Sequence, residues 1–364
     1  MRKRFLNKYW SVAAVLVAIP FLAGASEGTI NTGSIVLIPV APNIYAVDPQ
    51  FAGAAGAVIV TDAGVIVVDT HGTPATAEAL IRAVDRLDAP PIRYVVNTHW
   101  HVDHHSGNEA YRSAFAGDVT IISHDATRED IPTQGAQQYK DTAPYRSFPI
   151  DAADEQLEQN LDSHGTPLTA EQIADITAFR DAQSEFVVRD SYKYSLPDVT
   201  FSQSITIHGT PTAEIFFVDP AHTRGDAVVY LHEEKVLVAG DLLTRPILWS
   251  WSSYPSTYVQ TLLELEQLEI EKIIIGHGGP VLEGTDYLVL VRHFLETIVA
   301  YSEQAWEQEL STDEAVANAE SNDEIQSYRR EFVADTEQEN RMFGQMVGWT
   351  IGRAYEELQA QKPD

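Results

Sequence analysis

The 364-residue chain contains no cysteine. That absence excludes disulfides, a thiolate metal site and a lipid-modified cysteine anchor. Positive charge is scarce: 24 Lys and Arg stand against 53 Asp and Glu, a formal net charge of −29. Enzymes of nucleic acids carry a basic groove for phosphates, whereas this composition repels polyanions on average, so no nucleic-acid partner is expected. The acidity reads as a solubility feature rather than a partner-binding one. Internal repeats and low-complexity tracts are missing. Long apolar runs are missing too. The stretch Val12 to Leu22 is too short to span a bilayer comfortably. It follows Arg2, Lys3, Arg4 and Lys8 and precedes the small-x-small sequence Ala23-Gly24-Ala25. This is the pattern of a secretory signal over residues 1–25, with an uncleaved anchor as the alternative. The expectation is a periplasmic or secreted protein with no stable membrane anchor after cleavage.

What is present is concentrated in one short segment. Thr98-His99-Trp100-His101-Val102-Asp103-His104 packs three imidazoles and a carboxylate into six residues as H-x-H-x-D-H. Imidazole and carboxylate are the ligands that zinc and iron(II) accept at about 2 Å. His99 and His101 are two apart and can share one ion in an extended or turning segment, while Asp103 and His104 can reach a second. The cluster follows the apolar run Ile92 to Val96, at the carboxyl end of a strand, where open α/β sheets place their sites. Three further candidates end apolar runs beside glycine or proline: His222 after Glu214 to Val218, Asp241 after Lys235 to Ala239, and His277 after Lys272 to Ile275.

Taken together these residues resemble the metallo-β-lactamase fold superfamily, over about Ile44 to Val281. A fifth motif is the carboxylate Asp69 in Val67-Val68-Asp69-Thr70-His71-Gly72. The resemblance implies an α/β fold, an αββα sandwich of two sheets with helices outside and metals at the shared edge. It implies a first metal held by His99, His101 and His222 and a second by Asp103, His104 and His277. Asp241 would bridge the two, as in the Asp-bridged dinuclear hydrolase branches, and Asp69 would fix the histidine loop by hydrogen bonds. His105 and His71 match no motif. Two Zn2+ ions are the expected cofactors, with iron as the alternative.

The implied chemistry is hydrolysis of a small molecule, with Asp103 orienting the attacking water and shuttling its proton. An ester, a lactone or an amide carbonyl suits it, a β-lactam among them, and a phosphoester suits it as well. Arg224 and Arg245 lie near the third and fourth motifs and are weak candidates for binding a substrate carboxylate. An iron-dependent oxidoreductase is the reading from another class, but the diiron reductases of the fold carry a glutamate where this chain has His101. A non-catalytic module would show a lost ligand, and none is lost.

Around the motifs, 44% apolar content suits one large domain with decoration or two small ones. Ile35 to Val47, Ala57 to Val60 and Val65 to Val68 read as strands, and Ala75 to Leu87 as a helix with Thr73 as N-cap and Pro74 at its first position. The core domain is expected over residues 26–284. Residues 125–198 read as a helical insertion, with helices over Asp154 to Asp162 and Thr169 to Val187 and a capping box at Thr169 and Gln172. Tyr139, Tyr145, Phe148 and Tyr192 of the insertion either line a pocket or pack its helices. Thr200 to Ile207 and Ala227 to Leu231 complete the strands, and Tyr254 to Leu268 reads as an amphipathic helix. Residues 285–364 form a helical extension: Tyr287 to Glu309, Thr312 to Glu320 and Asp323 to Leu358. The apolar stripe Phe332, Phe343, Met346, Val347, Trp349, Ile351 and Tyr355 packs on the parent domain or forms a homodimer interface.

Overall fold

The structure, a computed structural model, describes residues 28–51, 53–189 and 194–361. The signal pattern at residues 1–25 and Tyr192 lie outside the described residues. Two sheets face each other. The first has eight strands in chain order: β1 (Ile30–Asn31), β2 (Ile35–Ala41), β3 (Ile44–Pro49), β4 (Gly56–Thr61), β5 (Gly64–Val68), β6 (Ile92–Val96), β7 (Thr120–His124) and β8 (Val199–Phe201). The second has six: β9 (Ser204–Ile207), β10 (Ala213–Phe216), β11 (Val228–Leu231), β12 (Val236–Thr244), β13 (Lys272–His277) and β14 (Val281–Glu283). Pairing is antiparallel along β1 to β5 and along β9 to β12, and parallel through β5, β6, β7 and β8 and between β12 and β13.

The alternation of side chains along a strand explains the layers. In β5 every residue is buried. Val65 and Val67 face the helices outside, packing with Leu80, Ala83, Ile176 and Phe179. Ile66 and Val68 face inward and meet Ile215, Val229, Val238 and Ile274 of the second sheet. The other face of the second sheet carries Tyr230, Leu237, Ile273 and Ile275, which pack against Leu262, Phe294 and Phe343 of the outer helices. The result is the αββα sandwich with helical additions.

Local signals work where they are complete. Thr73 Oγ1 accepts from Thr76 N at 3.2 Å at the start of helix Pro74–Val84. Thr169 and Gln172 exchange both bonds of the capping box, at 3.0 and 3.2 Å. Several boundaries differ from the sequence expectation. The insertion is helical from Asp125, through Asp125–Asp130, a π-helical turn at Ile131–Gly135 and Ala136–Asp141, and its next helix is Phe148–Gln159. The expected single helix from Asp323 breaks into Asp323–Ser327, Arg329–Phe332 and Glu337–Ala360. The second break ends at Thr336, whose hydroxyl accepts from Glu339 N at 3.2 Å and starts the last helix afresh. Phe332, Phe343, Met346, Val347, Ile351 and Tyr355 of the apolar stripe are buried within this chain, so an interface between copies would have to use other faces. Among the described residues no helix is long and apolar enough to cross a membrane.

Candidate metal centre

The site forms where strands of both sheets end. β5 runs into Asp69, β6 into the segment Asn97 to His101, and β13 ends on His277. Two backbone bonds tie the sheet ends together, Ala55 N to Gly276 O at 2.6 Å and Ala227 N to Thr98 O at 2.7 Å. Asp241 does not follow its strand as the sequence suggested; β12 continues past it to Thr244. A register shift at Gly240, whose φ is 52°, turns Asp241 toward the site inside the strand.

Seven side chains converge. His99, His101, His222 and Asp241 form one group and Asp103, His104 and His277 another, the ligand atoms of each lying within 4.8 Å of one another. His101 Nδ1 lies 2.9 Å from both His99 Nε2 and His222 Nε2. Asp241 touches both groups: its Oδ2 is 3.5 Å from His222 Nε2 and 3.5 Å from His277 Nε2, and its Oδ1 is 3.3 Å from His104 Nε2. His277 Nε2 is also 3.2 Å from Asp103 Oδ2.

The surrounding groups fix which nitrogens face inward. Asp69, fully buried, accepts from Thr98 N and Thr98 Oγ1 at 2.8 Å each and from His104 Nδ1 at 2.7 Å. Since the Thr98 proton goes to Asp69, Thr98 Oγ1 accepts from His99 Nδ1 at 3.0 Å. His99 and His104 therefore turn Nε2 lone pairs toward the centre. His104 Nε2 and Asp241 Oδ1 are buried and have no hydrogen-bond partner. A cation between them would satisfy both atoms, in place of the proton that would otherwise have to sit there. The donor set is nitrogen and oxygen only, which suits zinc or iron and fits the metals that the fold implies.

The electrostatics divide the two groups. Burial, reinforced by neighbouring imidazoles, holds His99 and His101 well below the usual histidine range, so both rings are neutral, the form in which imidazole can bind a metal. Burial also lowers His222, to about 4. At His104 and His277 burial acts the same way, but the carboxylates outweigh it, Asp241 foremost, and His277 is raised to about 9. Burial would raise the Asp103 carboxyl; His104 and His277 reverse this and hold it well below the usual carboxylate range. The Asp103 side chain is 33% exposed, against 4% for Asp241, so it is the carboxylate of the two that solvent reaches.

The two arginines fare differently. Arg224 is committed: its Nε meets Asp130 Oδ2 at 2.6 Å and its Nη2 meets Glu129 Oε2 at 2.8 Å. It ties the His222 loop to the insertion instead of standing free for a substrate. Arg245 is exposed, has no carboxylate partner among the described residues, and lies 4.4 Å over the Tyr287 ring. Its backbone N donates to His277 O at 2.9 Å, which puts it beside the second group. Tyr139 is buried under the Arg146 guanidinium at 3.5 Å, and Tyr145 meets the half-exposed Phe148 edge-on, so these aromatics pack the insertion.

Sequence reasoning missed several contributors. Asp226 accepts from Thr223 N and Oγ1 at 2.8 and 2.7 Å and braces the His222 loop, and burial pushes its carboxyl up to about 7. Gln138 Oε1 accepts from Val102 N at 2.9 Å, so the insertion steadies the turn that carries Asp103. Ser252 and Trp251 contact His101, the serine at 3.1 Å and the indole stacked at 4.6 Å. None sits in a periodic pattern; only the short spacing from Thr223 to Asp226 could have been read as a local turn bond.

A family model described as the metallo-beta-lactamase superfamily matches residues 53–277. The chain belongs to that superfamily. A linear primary-alkylsulfatase from Pseudomonas sp. is 23% identical over 250 residues, which is 65% of this chain and 44% of that protein. Among solved structures, the stereoselective inverting sec-alkylsulfatase Pisa1 from Pseudomonas sp. superposes with a TM-score of 0.60 at 17% identity, over 90% of this chain and 50% of that one. A metallo beta lactamase from Erythrobacter litoralis gives a TM-score of 0.51 at 16% identity, over 74% of this chain and 99% of that one. The chain thus spans about half the length of the alkylsulfatases it matches.

Proposed function

We propose that the chain is a zinc-dependent dinuclear hydrolase that cleaves an ester or strained amide bond in a small anionic molecule. The observation that carries this reading is Asp241 Oδ2, placed 3.5 Å from a ligand nitrogen of each group. His99, His101 and His222 would hold one ion, Asp103, His104 and His277 the other, and Asp241 would stand between them. Two such ions supply a water acidic enough to attack near neutral pH and a positive charge for the developing oxyanion. The rest falls to the chain. Asp103, ionised and partly exposed, orients the attacking water and takes its proton. Asp69 keeps the imidazoles of His99 and His104 turned inward. Arg245 offers the substrate a guanidinium beside His277, in a protein whose other charges are mostly negative.

The alkylsulfatase relative puts sulfate esters first among substrates. Carboxylic esters, lactones and β-lactams come second, since the same arrangement serves a carbonyl. The test is metal analysis of the purified protein, followed by turnover of an alkyl sulfate, a lactone, an aryl phosphate and a β-lactam, with Asp103→Asn as control. Two zinc equivalents, with hydrolysis that the substitution abolishes, support the proposal. Two zinc equivalents and no hydrolysis of any of the four would sink it. Iron in place of zinc would move the assignment to an oxidoreductase.

A further inference from the structure

His101 differs from its neighbours in turning Nδ1 toward the centre, where it lies 2.9 Å from His99 Nε2 and His222 Nε2, so its Nε2 points outward. That nitrogen meets Ser252 Oγ at 3.1 Å. Ser252 Oγ also donates to His222 O at 3.0 Å. A hydroxyl has one proton to give, so toward His101 it accepts, and the His101 proton is fixed on Nε2. This keeps the Nδ1 lone pair free for a metal. Carboxylates and carbonyls usually fill this role beside ligating histidines; here it falls to a serine on a short 3-10 turn, Ser250–Ser252.

One turn has little hold of its own. It is fastened from outside by the last helix, Glu337–Ala360. Ser250 Oγ lies 2.7 Å from Thr350 Oγ1, and both residues are fully buried. Leu248 N meets Met346 Sδ at 3.1 Å, Arg353 Nε donates to Ser253 O at 2.7 Å, and Ser256 Oγ donates to Glu357 Oε2 at 2.9 Å. Positions 346, 350, 353 and 357 recur at helical spacing, so one face of the helix grips the segment from Leu248 to Ser256.

We propose that the C-terminal helix positions the first metal site, acting through Ser250 and Ser252 on the orientation and tautomer of His101. The inference rests on the reading that the cluster holds metal. Ser252 and Thr350 are positioning residues; neither touches substrate.

The experiment uses the full chain, stripped of metal and titrated with Zn2+ against a chromophoric chelator, and with Co2+ to follow ligand geometry by absorption. Ser252→Ala is expected to weaken one of the two Zn2+ equivalents by roughly 10- to 100-fold and to leave the other. Ser252→Thr, which keeps the hydroxyl, is expected to hold wild-type affinity. Thr350→Val, once a thermal melt shows it to be folded, is expected to weaken the same equivalent and to change the Co2+ spectrum in the same sense as Ser252→Ala. The proposal is overturned if Ser252→Ala binds both equivalents as tightly as wild type. It is equally overturned if Thr350→Val lowers the melting temperature and leaves Zn2+ affinity and the Co2+ spectrum unchanged. Wild-type protein that takes up neither ion overturns the metal reading itself, before any variant is compared.

Discussion

Gly276→Ala is the sharpest perturbation the metal centre offers. A Cβ at this position would lie 1.9 Å from Asp241 Oδ1, 3.1 Å from Asp241 Cγ and 3.0 Å from the backbone carbon of Gly240. An ordinary carbon–oxygen contact needs about 3.4 Å, so the carboxylate must retreat by about 1.5 Å. The backbone around it has little room to follow, because Gly276 O is held by Ala55 N at 2.6 Å and Gly240 already turns with a φ of 52°. Asp241 is the residue shared by both ligand groups, so its displacement disturbs both. A misplacement of about 1 Å at a reacting centre can cost about 100-fold in rate. The expected outcome is a loss of at least roughly that size in turnover, with at least one metal equivalent weakened. The fold should lose about 1–3 kcal/mol, as overpacked cores do. Chelator competition, steady-state kinetics and a thermal melt check the three together. A Gly276→Ala protein with both metals bound as in wild type and unchanged kcat would refute the argument that Asp241 links the groups.

The remaining predictions concern charge and the scaffold. In metal-free protein His277 is raised to about 9 by Asp241 and Asp103, against the lowering effect of burial. A raised histidine stabilises the fold fully below its unfolded pKa of about 6.5, and that contribution is lost as pH rises toward the folded value, so melts in chelator should fall between about pH 6.5 and 9. Metal must displace that proton, so Zn2+ affinity should rise over the same window; a flat affinity would contradict the ligand role of His277. Asp175 is buried and receives Ser34 N at 3.2 Å and Arg82 Nε at 2.9 Å, joining the insertion to the residue just before β2 and to the first helix. Asp175→Ala should cost about 2–3 kcal/mol by chemical denaturation, and a change under 0.5 kcal/mol or so would show that the pairing is dispensable. Gly344 lies inside the last helix, and a methyl group added there would meet no atom within 4 Å. Gly344→Ala should therefore stabilise by about 1 kcal/mol, visible as a raised melting temperature with metal content unchanged.

The ligand chemistry and most of the architecture were legible in short stretches of sequence. H-x-H-x-D-H after a buried strand states a metal centre locally, because ligand type and strand-end position are both properties of a short segment. The apolar run Val65 to Val68 and the cap at Thr73 are local in the same sense, and both appear in the fold. Folding settled what depends on residues far apart in the chain. It placed Asp241 inside a bulged strand within 3.5 Å of both His222 and His277. It spent Arg224 on Asp130 and Glu129, 94 and 95 residues away, an ion pair no spacing rule contains. It set Ser252 against His101 across 151 residues and Thr350 against Ser250 across 100. A ligand can be recognised by its own chemistry. The group that orients it is an ordinary serine or threonine, and only packing distinguishes it from the others.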